Sequence, residues 1–349
     1  MSIKKRKAEH IEICLNEKVD SEHNYWDDVR LVHNALPEIN KNEIDTSIDF
    51  LGKQLEYPIF IGAMSGGYEK GKILNDNCAK AASELKIGFC IGSQRAALEN
   101  PELIDSYSIV KQYDIPFVVA NIGGVQLIQQ GNKSPLTLDQ IEKIINMIGA
   151  DAIAIHLNLA HETVQPEGDQ NAKGILKAIT EVAQRFPVIV KEAGSGISKE
   201  VALLLKDAGV KAIEVSGLSG TSWTAVEYYR AKAQKNKDKE RLGKLFWNWG
   251  IPSPISVLES KQAGLCVIGS GGIRNGLDVA KSIALGADGA SMAKGLLASA
   301  LKSSEEVKQQ IKAMGQELRI AMFLTGSKNI QELQNTRYVL TRRLKSWKA

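Results

Sequence analysis

Short apolar runs alternate along the chain with longer segments whose apolar residues recur at helical spacing. The eight runs span 58–63, 88–92, 116–120, 151–155, 187–190, 211–215, 265–268 and 290–293. A short run that is apolar throughout is typical of a strand buried on both faces, as in parallel sheets covered by helices. The helical segments between the runs include 75–85, 138–148, 175–186 and 199–208.

Eight such units of similar composition favour a closed barrel over an open, doubly wound sheet. We therefore predict an α/β fold, a (β/α)8 TIM barrel, with its strands within 58–295 and a single domain covering 1–349. Residues 1–57 form an N-terminal extension, and 296–349 are predicted to add C-terminal helices. A long connection, 217–252, follows the sixth strand and contains a charged helical run at 228–244. Connections of this length are commonly lids or binding loops.

The stretch 265–295 carries the strongest local signal. Gly269, Gly271 and Gly272 follow the seventh strand, and a short helical pattern leads into the eighth. Glycines at such a turn let backbone N–H groups approach an anion. In TIM barrels, the loops after the last two strands commonly bind phosphate. Glycines after a strand also occur as packing turns, so both interpretations stay open for this stretch alone.

Composition excludes several classes of protein. The chain is 44% apolar and 24% charged with a net charge of +4, and no basic stripe with interleaved aromatic residues is present. We therefore expect no nucleic-acid partner. The sequence contains no apolar run of 18 residues and no signal-peptide pattern, so we expect no membrane association and a cytoplasmic location. Four cysteines without metal-ligand spacing are expected to be reduced thiols.

Polar residues follow nearly every predicted strand. In a TIM barrel these positions meet at one mouth, which is where active sites lie. The residues predicted to gather there include Met64, Ser65, Ser93, Gln94, Arg95, Asn121, His156, Asn158, Lys191 and Ser216.

Lys191 ends a buried strand, and a lysine there has to be paired, desolvated or bound to a ligand. It could be a Schiff-base nucleophile, it could place positive charge against an anionic cofactor ring, or it could form a salt bridge with Glu192 or Glu214. Asn121 and Ser216 suit a ring with several heteroatoms. No Gly-x-Gly-x-x-Gly follows the first strand, so flavin mononucleotide (FMN) fits better than a dinucleotide.

Two further groups carry charge. The basic run 4–7 is either a solvated tail or, with Arg95, a clamp for a diphosphate. His161, Glu162 and Glu167 follow the fourth strand, and carboxylates beside bound phosphates commonly hold Mg2+. His161 could equally be a buried, hydrogen-bonded histidine without a chemical role.

The sequence resembles the type 2, flavin-dependent isopentenyl-diphosphate isomerases. The resemblance extends over nearly the whole chain. Its motifs are Arg6-Lys7-x-x-His10, 64–67 (Met-Ser-Gly-Gly), 92–97 (Gly-Ser-Gln-Arg-Ala-Ala), 121–123 (Asn-Ile-Gly), 156–158 (His-Leu-Asn), 165–169 (Gln-Pro-Glu-Gly-Asp), 191–192 (Lys-Glu), 220–223 (Gly-Thr-Ser-Trp), 250–252 (Gly-Ile-Pro), 269–274 (Gly-Ser-Gly-Gly-Ile-Arg) and 324–326 (Leu-Thr-Gly).

The resemblance implies an isomerase of isoprenoid biosynthesis that interconverts isopentenyl and dimethylallyl diphosphate by a 1,3-allylic proton shift. It implies FMN, Mg2+ and NADPH as the flavin reductant, and a homo-tetramer or homo-octamer. The residues predicted to contact flavin are Ala63, Met64, Ser65, Ser93, Asn121, Lys191, Ser216, Thr221, Gly271, Gly272, Arg274, Ala293 and Lys294. The predicted substrate contacts are Arg6, Lys7, Ser93, Gln94, Arg95, His156 and Asn158. The predicted metal ligand is Glu162, and the predicted catalytic residues are His156, His161 and Lys191.

One residue departs from the family pattern. His161 stands where the family has a glutamine, before the metal glutamate. Histidine also donates a hydrogen bond but titrates near neutral pH. We predict that activity persists and acquires a pH dependence set partly by His161, which a His161→Gln profile between pH 5 and 8 tests.

Two other functions fit a barrel of this kind. An FMN-dependent 2-hydroxyacid oxidase would need a histidine and an arginine after the sixth or seventh strand, yet all five histidines lie at or before position 161. A non-catalytic barrel that binds phosphorylated metabolites would keep the glycine pocket and lack the chemistry.

Overall fold

The computed structural model describes residues 3–347. Its strands are β1 (Val29–Leu31), β2 (Ile48–Phe50), β3 (Lys53–Leu55), β4 (Ile59–Ile61), β5 (Gly88–Cys90), β6 (Phe117–Gly123), β7 (Ala152–Leu157), β8 (Val188–Glu192), β9 (Ala212–Glu214), β10 (Cys266–Gly269), β11 (Gly289–Met292) and β12 (Tyr338–Leu340).

The eight strands from β4 to β11 close into a parallel barrel. Each of them falls within, or overlaps, one of the eight apolar runs, so the predicted TIM barrel is confirmed. The register places Gly123, His156, Lys191 and Glu214 side by side across four consecutive strands, β6 to β9. Because neighbours in register point to the same face of a sheet, the side chains of His156, Lys191 and Glu214 lie close together inside the barrel mouth, beside Gly123.

The helices form the outer layer and the additions to the barrel. They are α1 (Ile3–Asn16), α2 (Glu69–Leu85), α3 (Arg95–Glu99), α4 (Asp105–Ser108), α5 (Leu138–Ile148), α6 (Leu159–Val164), α7 (Ile175–Ala183), α8 (Lys199–Asp207), α9 (Trp223–Ala233), α10 (Lys237–Leu245), α11 (Ser253–Lys261), α12 (Gly276–Ala284), α13 (Lys294–Lys302), α14 (Ser304–Thr325), α15 (Ile330–Gln334) and α16 (Arg342–Lys345).

Local sequence explains the outer helices well, and α5 is an example. Thr137 caps its first turn and exchanges hydrogen bonds with Gln140, and Gly149 ends it with a left-handed backbone. Ile141, Ile144 and other residues at helical spacing are buried against the barrel. Caps of this kind are worth about 1 kcal/mol each, whereas burial of the apolar face supplies most of the stability.

The N-terminal extension closes the end of the barrel opposite the mouth. The β2–β3 hairpin places Phe50, which is fully buried, against Phe60 and Phe117 at ring-centroid distances of 4.7 and 5.1 Å. Both pairs meet edge to face, a preferred arrangement for aromatic rings. The barrel therefore has a packed floor, and a ligand can enter only from the mouth.

Two additions differ from the sequence-based expectations. The charged run 228–244 is not one helix but parts of α9 and α10, because Lys235 adopts φ 58° and Asn236 caps a new helix. The C-terminal region contains a strand as well as helices, since β12 pairs antiparallel with β1. In both places short-range periodicity misses a break or a pairing that distant packing decides.

Buried apolar residues form one main cluster that runs from Ile11 to Leu344. This continuity supports treating the chain as one domain. Among the described residues, no helix combines the length and the apolar character needed to cross a bilayer.

Candidate active site

A cavity of about 650 Å³ opens at the carboxyl ends of the barrel strands. Cavities of this size accommodate a cofactor or a small substrate. With one exception, Gln94, all of the predicted flavin, substrate, metal and catalytic residues line it. The N-terminal helix α1 covers one side of the mouth and brings Arg6, Lys7 and His10 to the same space.

Gln94 is the exception, and its predicted contact with substrate is corrected here. Its side chain is fully buried behind the mouth. The amide N–H donates to the Ile144 carbonyl at 3.0 Å, and the amide oxygen accepts the Asn121 N–H at 3.1 Å. Gln94 therefore ties α5 to the end of β6 and holds Asn121 in place.

One end of the cavity is built from backbone, and we call it the phosphate end because the sequence predicts a phosphate site there. Gly271 and Gly272 adopt φ 84° and 82°, which favours glycine. A Cβ on Gly272 would lie 2.5 Å from the Ser219 carbonyl oxygen, so the two loops touch through their main chains. After the neighbouring strand β11, helix α13 begins at Lys294 beside the cavity. The first N–H groups of a helix have no partner within it and favour anions.

The N-terminal extension holds this glycine loop in place. The Asn24 side-chain amide donates to the Gly272 carbonyl at 2.7 Å, and the Trp26 indole N–H donates to the Gly271 carbonyl at 2.8 Å. The guanidinium of Arg274 faces Asp27 and Asp278, at 2.6 and 2.9 Å. These carboxylates already neutralise Arg274, so main-chain groups dominate the phosphate end.

Lys191 lies at the bottom of the cavity, between two acids. Its ammonium donates to the Glu192 carbonyl oxygen at 3.1 Å and lies 3.7 Å from the Glu214 carboxylate. The Glu192 carboxylate accepts the N–H groups of Ala193 and Ser195 instead. Burial raises the pKa of Glu192 to about 7. The ammonium is thus held in position by one carboxylate while it faces the cavity.

His156 stands next to Lys191 in register and is held by Asn121. Its Nδ1 lies 2.8 Å from the Asn121 amide oxygen, while the Asn121 N–H group donates to the Ile91 carbonyl at 2.9 Å. Asn121 can therefore only accept, so His156 carries its proton on Nδ1 and leaves Nε2 with a lone pair. Burial, assisted by the charge of Lys191, lowers the pKa of His156 to about 3. The imidazole is neutral at physiological pH.

Three basic residues gather at the other end of the cavity. Lys7 donates to the Ser93 carbonyl at 2.7 Å and to the Tyr107 hydroxyl at 2.8 Å. Burial, assisted by the charge of Arg6, lowers the pKa of Lys7 to about 7. Arg6 lies 4.0 Å from Glu167, and Arg95 contacts Glu99 at 2.8 Å. A diphosphate bound here would meet cations from α1 and α3.

Glu162 and Asn158 form an oxygen-rich corner beside these cations. The Glu162 carboxylate accepts the Asn158 side-chain N–H at 3.0 Å and the Asp169 backbone N–H at 2.8 Å. The side-chain oxygen of Asn158 is buried and has no hydrogen-bond partner among residues 3–347. A buried oxygen without a partner is unusual and suggests a missing ligand.

Sequence reasoning missed Glu227 on α9. Its Oε1 accepts from the Nε2 atoms of His10 at 2.8 Å and His161 at 2.9 Å, and its Oε2 accepts from Arg230 at 2.6 Å. Burial alone would raise the pKa of Glu227, but the bonds from the two histidines outweigh it and the pKa is lowered. The Trp223 ring stacks on His161 at 5.0 Å.

A signal for Glu227 and Arg230 exists in the sequence. The two residues are one helical turn apart in a segment that also holds Ala225, Val226 and Ala231, all buried. A buried acid and base at this spacing are normally paired. What the segment could not reveal is that α1 and α6 each deliver a histidine to the same carboxylate.

Comparison with known proteins first defines the class. A family described as FMN-dependent dehydrogenase matches residues 156–340, slightly more than half of the chain. A mandelate oxidase variant, covered at 98% of this chain and 100% of its own, has a TM-score of 0.65 at 18% identity. A lactate oxidase from Pediococcus acidilactici, covered at 91% and 84%, has a TM-score of 0.61 at 16% identity. At these identities the oxidases show the fold alone.

Sequence relatives then define the family. The isopentenyl-diphosphate delta-isomerase of Picrophilus torridus is 50% identical over 99% of this chain and 98% of its own. That of Thermoplasma volcanium is 51% identical over 99% of both chains. The chain belongs to the isopentenyl-diphosphate delta-isomerase family. The predicted resemblance and the predicted cofactor class, FMN, are thereby confirmed, and the hydroxyacid-oxidase alternative is the weaker interpretation.

Proposed function

We propose that this enzyme interconverts isopentenyl and dimethylallyl diphosphate by an allylic proton shift, with FMN as its cofactor. One observation carries the proposal: a single cavity has a backbone phosphate cradle at one end and a cationic cluster at the other. Lys191 and neutral His156 lie between them. A flavin nucleotide and a diphosphate substrate both need an anion site, and the cavity offers two.

FMN fits the residues present. Gly271, Gly272 and the start of α13 would hold its phosphate. Asn121 and Lys191, at the bottom of the cavity, would contact its ring. When reduced, FMN supplies an electron-rich ring beside a carbon that gains positive charge. The Lys191 ammonium, held by Glu214, would stabilise a negatively charged ring by electrostatic attraction.

The other end fits the substrate. Arg6, Lys7 and Arg95 would bind the diphosphate, and their positions would aim the hydrocarbon part of the substrate toward Lys191. Positioning of this kind matters because an alkene offers no polar group by which it could be oriented. The closed floor and the α1 cover would also keep bulk water away from the reacting carbons.

We propose Mg2+ as a second requirement, held by Glu162. Mg2+ prefers oxygen ligands and usually combines one or two carboxylates with substrate phosphates and waters. The carboxylate of Glu162 and the partnerless buried oxygen of Asn158 supply that chemistry beside the cationic cluster. His161 and its partner Glu227 would hold a proton on the adjacent wall. Neutral His156 would line the cavity beside the substrate.

NADPH as the flavin reductant, a cytoplasmic location and a homo-tetrameric or homo-octameric assembly belong to the same proposal. They rest on the family to which the chain belongs. The four cysteines, which we expect to be reduced thiols because they share no metal-ligand spacing, support the location.

The decisive test is an anaerobic isomerisation assay. Dithionite-reduced, FMN-loaded enzyme is incubated with isopentenyl diphosphate in D2O, with and without Mg2+, and deuterium in the product is followed by NMR. We expect Mg2+-dependent product with deuterium incorporated, and a loss of about 100-fold or more in Glu162→Gln, because the metal loses its protein carboxylate. Flavin bleaching with a 2-hydroxy acid and no isomerisation would support the oxidase alternative instead.

A further inference from the structure

Three side chains of the kinds that bind metals converge on the wall of the cavity, next to the oxygen-rich corner of Glu162, with Asn158 in contact with both His161 and Glu162. One ring nitrogen of His10, one ring nitrogen of His161 and a carboxylate oxygen of Glu227 all lie within 4.8 Å of one another. They come from α1, α6 and α9, so their meeting depends on the tertiary structure. We call these three residues the His–Glu–His cluster.

We propose that the His–Glu–His cluster is a second cation site, which takes Zn2+ and inhibits the enzyme when it is filled. Two imidazoles and one carboxylate are the ligand set of zinc sites that keep one position open. Mg2+ avoids such a set because it prefers oxygen ligands. We therefore expect Zn2+ to bind the His–Glu–His cluster and Mg2+ to bind at Glu162.

The geometry needs only a small adjustment. The two Nε2 atoms lie 2.8 and 2.9 Å from the same Glu227 oxygen. Around a tetrahedral Zn2+ with bonds of about 2 Å, neighbouring donor atoms are separated by roughly 3.3 Å. Each of the two Nε2–Glu227 oxygen pairs therefore has to open by about half an ångström. Each imidazole would carry its proton on Nδ1 once Nε2 binds the metal.

The cluster is also held in place before any metal arrives. Arg230 fixes the second oxygen of Glu227 at 2.6 Å. The Trp223 ring packs against both imidazoles, with centroids 5.0 Å from His161 and 5.4 Å from His10. Ligands locked by packing and hydrogen bonds bind metal more tightly than mobile ones.

The surrounding charge favours a dication. Among residues 3–347, the carboxylates of Glu9, Glu167 and Glu227 each form an ion pair with Arg230, and Glu167 also lies 4.0 Å from Arg6. The acids exceed the bases, which offsets the repulsion between Arg230 and a cation.

The open coordination position faces the cavity. His10 and His161 line it, whereas Glu227 lies fully buried behind them. A Zn2+ held here would withdraw His161 and Glu227 from hydrogen bonding and would attract the substrate diphosphate away from its clamp. Inhibition is the expected consequence, and this consequence alone rests on the proposed isomerase function.

Binding is tested by isothermal titration of metal-free, FMN-loaded enzyme with Zn2+. We expect one Zn2+ per chain in the parent. In His161→Gln and in His10→Gln the dissociation constant should rise by about 100-fold or more, since each variant loses a ligand. His33→Gln, an exposed histidine outside the cavity, is the matched control and should bind like the parent. FMN content and thermal denaturation midpoint confirm that each variant is folded.

Two further readouts separate the alternatives. X-ray absorption at the zinc edge should show nitrogen and oxygen ligands, whereas sulphur would assign the zinc to Cys14, which also lines the cavity. Equal affinity in the parent and His161→Gln, or no binding, overturns the site. In the isomerase assay, equimolar Zn2+ should abolish parent turnover, whereas His161→Gln should keep most of the turnover that the same variant shows without Zn2+. Zinc bound without inhibition overturns the inhibitory role, and failure of the isomerase assay leaves the binding result intact.

Discussion

The two ends of the cavity offer anions different kinds of contact. The phosphate end lies within 269–294, a short continuous piece of chain, and consists of glycine turns and a helix start. The other end, where we propose that the substrate diphosphate binds, is called the substrate end. It contains residues from Arg6 on α1 to Arg230 on α9 and consists of ionised side chains held in pairs. One end relies on main-chain geometry and the other on charge.

This difference teaches where each end is vulnerable. Backbone N–H groups cannot titrate or swing away, so the phosphate end should respond to steric changes and ignore pH. Ion pairs and hydrogen-bonded bases depend on protonation and on every partner, so the substrate end should respond to charge. The following predictions test this contrast, beginning with the largest effect.

The largest effect should come from adding a methyl group to the glycine loop. Gly272→Ala places a Cβ 2.5 Å from the Ser219 carbonyl oxygen at φ 82°. We expect the purified variant to lose most of its FMN, because the loop has to shift away from the phosphate. FMN absorbance per chain and a thermal melt measure the effect.

Gly52→Ala is the matched control for that change. Gly52 has φ 83°, and a Cβ there meets nothing within 4 Å. It carries the same backbone strain, about 1–2 kcal/mol, without the collision. If both variants retained FMN equally, the claim that close main-chain packing builds the phosphate end would be wrong.

At Lys7, a large effect on catalysis is expected, in contrast to the effect on FMN binding expected at Gly272. Lys7→Gln should lower kcat/KM for the diphosphate by roughly 10- to 100-fold, since a charge-assisted hydrogen bond is worth about 1.5–3 kcal/mol. FMN content should not change. Steady-state kinetics at saturating Mg2+ measure it, with Lys5→Gln, exposed on the same helix, as the control. A loss of FMN in Lys7→Gln would contradict the division between the two ends.

The pH dependence of kcat/KM should come from the substrate end and not from the phosphate end. The pKa of Lys7 is lowered to about 7, and its charged neighbours are Arg6 and Glu99. The protonated form binds the anion, so kcat/KM should fall as pH rises through the pKa, by about tenfold between pH 6 and 8. Lys7→Arg stays charged and should flatten this fall. FMN retention should stay constant over the range, and an unchanged profile in Lys7→Arg would exclude Lys7 as its source.

The smallest effect is expected at the exposed ion pair of the phosphate end. Arg274 and Asp27 are both nearly half exposed, at 44% and 47% of their side-chain surface. Asp27→Asn should change the free energy of unfolding by about 0.5 kcal/mol or less and leave FMN content unchanged. Denaturant unfolding and flavin absorbance measure both. A clear loss of FMN would show that the Arg274 side chain, and not the main chain, carries the phosphate.

Local pattern was sufficient for much of the fold and for most of the candidate site. The eight apolar runs predicted the eight barrel strands, and the residues after them, together with the resemblance, predicted about half of the cavity lining. The local pattern failed at Gln94. This residue follows a strand, as Ser93 and Arg95 do, but its side chain points into the outer layer. It also failed at the break between α9 and α10. In each case the deciding contacts are remote in sequence.

The sequence by itself determined the strands, the glycine loop and the set of polar residues at the mouth, because buried strands and tight turns are written in short stretches of neighbouring residues. Only the tertiary structure decided which way Gln94 points, which acid holds Lys191, and that His10, His161 and Glu227 share one point. Side-chain direction and ion pairing depend on atoms brought together from distant segments, and spacing along the chain does not encode those distances.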